Sequence, residues 1–178
     1  MSGTTFEFSR PIPWGGIGKQ ERREELEANE AERAALAARF GILAIDRLTV
    51  SLRMRQEPGG SVRVRGLMKA EVVQACVVTL EPVRQQVEEA VDLRFLPAGA
   101  EPEDDPDGPD EIPTENDILE LGEAVAEQLA LALDPYPRAP GAQLEENYSV
   151  GEAEPESPEP RRNPFLGLAA LKGPKRDG

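Results

Sequence analysis

The sequence predicts an α+β fold: a curved antiparallel β-sheet packed by a C-terminal amphipathic helix, with an N-terminal helix alongside and disordered acidic segments. Three observations predict it. Leu48, Val50, Leu52 and Met54 alternate with Ser51, Arg53 and Arg55, and the pattern is mirrored after Glu57-Pro58-Gly59-Gly60. A period of two around a strong turn signal is a hairpin with one apolar and one basic face. Further on, Ile118, Leu121, Val125, Leu129 and Leu133 recur at helical spacing, so one face of that helix must bury against the sheet. Finally, residues 97–160 hold nineteen Asp/Glu against a single cation, Arg138. Such runs stay solvated rather than join a core.

Each element follows from its residues. In FEFSRPI, Phe6 and Phe8 share one side of a short strand suited to a sheet edge, where Pro11 and Pro13 limit further pairing. Residues 19–40 are rich in Glu, Ala, Arg and Leu, which favours a helix with Gly41 as its C-terminal cap. Its apolar stripe, Leu26, Ala34, Leu36 and Ala37, is thin, so the helix is mostly exposed. The second hairpin arm places Val62, Val64, Gly66 and Met68 on one face and Arg63, Arg65 and Lys69 on the other. The run 62–80 is too long for one ordinary strand, which predicts a bend or bulge near Gly66. Residues 72–83, VVQACVVTLEPV, read as a strand that stops at Glu81-Pro82, because proline has no N–H for a ladder. Val87, Glu89, Val91, Leu93 and Phe95 alternate again. Asp117 can cap the later helix, with Glu120 reaching back to the cap, and Asp134-Pro135-Tyr136-Pro137 ends it. A sheet of about four to six strands accommodates these runs. Asn163-Pro164 then starts a short helix running to Lys172, with Phe165, Leu168, Ala169 and Leu171 as its apolar side.

This divides the chain into a single α+β domain at 1–140 with an acidic loop at about 99–113, an acidic Pro-rich linker at 141–162, and a helical docking motif with a basic tail at 163–178. The formal net charge is −14, yet the sheet region, residues 41–96, carries eight Lys/Arg against seven Asp/Glu. The chain contains no histidine and one cysteine. That removes Ser-His and Cys-His nucleophile pairs and histidine metal ligands, so the expectation is a protein that is not an enzyme and takes no cofactor. One cysteine makes no internal disulfide, no apolar run approaches a membrane span, and the first residues lack a secretory pattern. The expected location is the cytoplasm.

Residues 72–83, with Gly66 upstream, Phe95 downstream, LALALDPYP at 129–137 and NPFLGLAALK at 163–172, resemble in order and spacing the YceD family of large ribosomal RNA subunit accumulation proteins. The long CVVTLEPV form is similar to the alphaproteobacterial branch. The resemblance spans roughly residues 1–140 and the C-terminal motif. It implies a non-enzymatic ribosome-biogenesis role in making or maintaining 23S rRNA. Some relatives carry a CxxC pair at this strand and further cysteines near the C-terminus. Here Val77, Val78 and Thr79 follow Cys76 and no other Cys or His exists, so a zinc site built that way is excluded. Cys76 is expected to be a small buried apolar residue.

Two surfaces are candidates for partners. The basic hairpin face, Arg53, Arg55, Arg63, Arg65 and Lys69, suits RNA phosphates; the plainer reading is a solvated face whose arginines pair with glutamates of a neighbouring strand. It lacks aromatic residues for sequence-specific reading of single strands. The C-terminal motif, with Asn163, Pro164, Phe165, Leu168 and Leu171, either docks another protein or folds back on its own sheet. The partners implied are a pre-large-subunit ribosomal particle, through 23S rRNA or through a basic ribosomal protein held by the acidic region. No membrane or small-molecule substrate is expected. The rival reading is a protein-interaction adaptor unrelated to ribosomes, using the N-terminal helix and the C-terminal motif.

Overall fold

Leu48, Val50, Leu52 and Met54 do fall on one side of a strand, and all four are buried. They belong to a computed structural model that describes residues 6–102, 108–114 and 116–143. The chain divides into two units, Met1–Ala142 and Gln143–Gly178, and the elements below all lie in the first. The expected motif at 163–172, with Asn163, Pro164, Phe165, Leu168 and Leu171, and nearly all of the expected linker lie outside the described residues.

The elements run β1 (Pro11–Pro13), β2 (Arg22–Glu27), α1 (Glu30–Phe40), β3 (Ala44–Gln56), β4 (Val62–Ala75), β5 (Pro82–Leu96), β6 (Asp110–Pro113), β7 (Ile118–Glu120) and α2 (Leu121–Ala132). Five strands form one sheet in the order β2-β3-β4-β5-β6, and β1 pairs with β7 in a second, two-stranded sheet. The first three contacts of the large sheet are antiparallel. The β5–β6 contact is parallel, so the sheet is mostly, not wholly, antiparallel. The inward faces of β3, β4 and β5 share one core with Leu36 of α1 and with Leu121, Val125 and Leu129 of α2. Arg39 of α1 joins the helices to the N-terminal arm: it pairs with Glu123 at 2.7 Å and with Glu7 at 3.0 Å.

Several expectations are corrected. Only Glu30–Phe40 of the predicted 19–40 helix is helical; Arg22–Glu27 is the edge strand β2. Helix propensity differs among such residues by only a few tenths of a kcal/mol each. Burying Leu26, which is 7% exposed, contributes about 1.5–3 kcal/mol, and the ladder to β3 satisfies the backbone as well. Asn29 then starts α1 in a reciprocal capping box with Glu32. Gly66 marks no bulge: the register Leu52↔Gly66↔Val91 is unbroken, and the irregularity lies in β3 between Ile45 and Arg47. The 72–83 segment is not one strand. β4 ends at Ala75, residues 77–79 form a turn, and Pro82 opens β5 opposite Ala75, a strand-initial place where its missing N–H costs nothing.

The acidic loop expected at 99–113 contains β6, because Ile112 lies in register with Phe95 and Arg94 pairs with Glu111 at 2.9 Å. At the N-terminus the strand is Pro11–Pro13 rather than the whole of FEFSRPI, and it pairs with β7, where buried Ile12 opposes buried Leu119. Asp117 does not cap α2. It sits at φ 55° and its carbonyl accepts the Trp14 N–H at 2.9 Å. Helix α2 begins at Leu121 without a side-chain cap, and Ile118, expected on the buried face of that helix, lies instead in β7 and is 42% exposed.

Candidate nucleic-acid interface

Alternation along β2 to β5 turns one set of residues toward the helices and the other set outward. The outward side chains of the central strands, Arg53, Arg55, Arg65, Leu67, Lys69 and Ala90, are all exposed. Cross-strand register arranges them in rows. One row reads Arg23↔Arg53↔Arg65↔Asp92. The row on one side of it reads Arg55↔Arg63↔Arg94 and continues to Glu111 of β6. On the other side Glu25↔Ser51↔Leu67↔Ala90 and then Glu27↔Thr49↔Lys69↔Glu88 follow. Guanidinium groups thus gather toward the β3–β4 turn.

The five basic residues singled out from the sequence share this face but not one electrostatic state. Arg63 is 8% exposed and is committed to Asp92: its Nη2 donates to Oδ2 at 2.7 Å, while its Nε lies 2.6 Å from Oδ1 without the alignment of a hydrogen bond. Arg65 shares Asp92, donating from Nε at 3.2 Å. Burial pushes the Asp92 carboxyl up, but the hydrogen bonds and charges of Arg63 and Arg65 together carry it below its ordinary value. Lys69 pairs with Glu88 at 3.0 Å, both well exposed. Arg53 and Arg55 pair with no acid among the described residues. Arg53 has arginines opposite it on both sides, and Arg55 has Arg63. Sequence reasoning missed Arg23, since it lay inside an expected helix. It is exposed, in register with Arg53, and 3.5 Å from Glu21.

Cys76 is fully buried, as expected, but its surroundings are polar. Its Sγ accepts N–H groups of Val78 and Thr79 at 3.4 Å and of Ala139 at 3.3 Å. Hydrogen bonding from the Thr79 side chain, then from the Ala139 and Thr79 backbones, draws the thiol down to about 6 despite the opposing effect of burial. The Val77 N–H donates to the Pro137 carbonyl at 2.8 Å and Gln74 donates to the Asp134 carbonyl at 2.9 Å. The segment after α2 is therefore strapped to the end of the sheet. Among the described residues no three His, Cys, Asp or Glu side chains gather as metal ligands, and no helix is long and apolar enough to cross a membrane.

The family model described as "Large ribosomal RNA subunit accumulation protein YceD" matches residues 64–172. That span takes in Arg65, Lys69 and Cys76 and begins after Arg53, Arg55 and Arg63. No curated protein and no solved structure matches the chain.

Proposed function

Since the chain belongs to the YceD family of large ribosomal RNA subunit accumulation proteins, we propose that it is a non-enzymatic, cytoplasmic ribosome-biogenesis factor that promotes synthesis, processing or stability of 23S rRNA, and that it contacts precursor rRNA through the outward face of β2 to β5. The observation that carries the RNA contact is the placement of Arg53. It stands between Arg23 and Arg65 in register, with no acidic partner among the described residues, and Arg55 stands unpaired one row away. Like charges directly opposite one another on neighbouring strands are destabilising. A phosphate between them removes that penalty and gains charge-assisted hydrogen bonds. Arg63, Arg65 and Lys69 contribute positive potential while tied to Asp92 and Glu88.

The test is Arg53→Gln together with Arg55→Gln in the full chain, with binding to a 23S precursor fragment measured across salt concentrations. Both side chains are exposed, so the variant is expected to fold. Its affinity should fall at low salt, and the slope of log K against log[salt] should become shallower by about 1.4 to 1.8, two phosphate contacts' worth. A folded variant with unchanged affinity and slope would overturn the assignment of this face.

A second reading has its own support in the nineteen acids of residues 97–160: the chain holds a basic ribosomal protein until delivery. Under that reading the double variant supports normal 23S levels, and neutralising those acids lowers them. A chain that never migrates with pre-large-subunit particles at any salt would favour an adaptor instead.

A further inference from the structure

We infer that the low row beside the arginines, Ser51, Leu67 and Ala90, seats an unpaired nucleotide of single-stranded RNA, with its base on that floor and its phosphate at Arg53. This rests on the RNA-contact reading above and specifies what kind of RNA the face takes. The three residues are Cα partners across β3, β4 and β5, all outward and all exposed. Two are among the smallest side chains, and Leu67 is an apolar residue 36% exposed at the centre of the face. Longer side chains rise beside this row: Arg53 and Arg65 stand on one side, and Lys69 stands two residues along β4 from Leu67 on the other. Arg23, Arg53 and Arg65 line the resulting open hollow together with the Leu67–Ala90 floor.

The chemistry of this hollow favours a base over other occupants. Leu67 and Ala90 make most of its floor aliphatic, and the faces of a nucleobase are the apolar part of RNA. Guanidinium planes at its edge stack on such rings. The Ser51 hydroxyl is already given to Glu25 at 2.6 Å, so the floor aims no free donor at a base edge, and the seat should tolerate any base. Carboxylates close both ends, Glu25 at the β2 edge and Asp92 on β5. They leave Arg53, in the middle, as the place for the phosphate. A duplex keeps its base faces stacked inside and would meet only the arginines, leaving the floor wet.

The experiment compares a 12-nucleotide oligouridine with a duplex RNA of equal length, using the full chain at fixed salt. The variants are Ala90→Gln, which fills the hollow without adding charge at an exposed position, and Arg53→Gln; thermal melts verify folding. The inference expects tighter binding of the single strand. Ala90→Gln should weaken single-strand binding about tenfold, the loss of roughly 55 Å² of apolar burial, and leave duplex binding within twofold, while Arg53→Gln weakens both. A 5-bromouridine in the oligonucleotide should photocrosslink to the peptide containing Leu67 or Ala90. Equal binding of both RNAs with Ala90→Gln silent overturns the nucleotide seat and leaves the RNA face standing. Failure of the unmodified chain to bind either RNA overturns both.

Discussion

A β-carbon at position 66 would stand 2.0 Å from the Ser51 carbonyl oxygen. The obstacle is backbone, so no rotamer change relieves it. Gly66→Ala is expected to destabilise the fold by about 3 kcal/mol, the upper part of the range for overpacking, measured by urea unfolding. The sequence marks Gly66 as special but not why, because a bulge and a close strand approach both select glycine. Cys76 was legible as buried, whereas its donors were not, since Ala139 reaches it from 63 residues away. Its thiol lies lower in the fold, at about 6, than the roughly 8.5 of an unfolded chain. The thiolate therefore adds stability in full above the unfolded value, and this contribution disappears as pH falls to about 6. Comparing Cys76→Ala with the parent by chemical denaturation should give a stability difference that grows between pH 6 and pH 8.5. A constant difference would mean that the thiol stays protonated.

Among the elements, β3, β4 and β5 were readable because one face of each meets the core, which imposes a period of two on their middle residues. Strand β6 was not. Its four residues are ordered by Phe95 and Arg94 on a neighbouring strand, and acidic composition points the other way. The start of α1 was written in the sequence as Asn29 and Glu32, yet the helix-forming composition of residues 19–28 masked it. Asn29→Ala removes the acceptor for the Glu32 N–H at 3.0 Å and should cost about 1 kcal/mol, read as a lowered thermal midpoint. Glu32→Ala should cost more than Asn29→Ala, because Glu32 also holds Arg10 at 2.7 Å. Equal losses would mean that the pair to Arg10 contributes nothing.

At the scale of the whole chain, the five-stranded sheet of the first unit turns one face to two helices and carries arginines on the other, while most of the net acid falls in a different stretch of sequence, residues 97–160. That partition was legible from charge counts, whereas the gathering of Arg23, Arg53 and Arg65 into one row needed the register. In cells depleted of this protein, the ratio of 23S to 16S rRNA should fall, and the parent chain should restore it while Arg53→Gln/Arg55→Gln restores it less. An unchanged ratio on depletion would remove the proposed role. The β1–β7 pair has a further consequence in time. Pro11–Pro13 find their partners only at Ile118–Glu120, and a β-carbon at Gly122 would stand 2.0 Å from the Phe8 carbonyl oxygen. On a translating ribosome this arm must wait for about 110 more residues, roughly 5 to 20 s of synthesis. Trp14, the one tryptophan, donates its backbone N–H to the Asp117 carbonyl at 2.9 Å, so its fluorescence times that closure. Stalled chains ending before residue 114 should keep the red-shifted emission of a solvated indole, with the blue shift arriving only after α2 has left the exit tunnel.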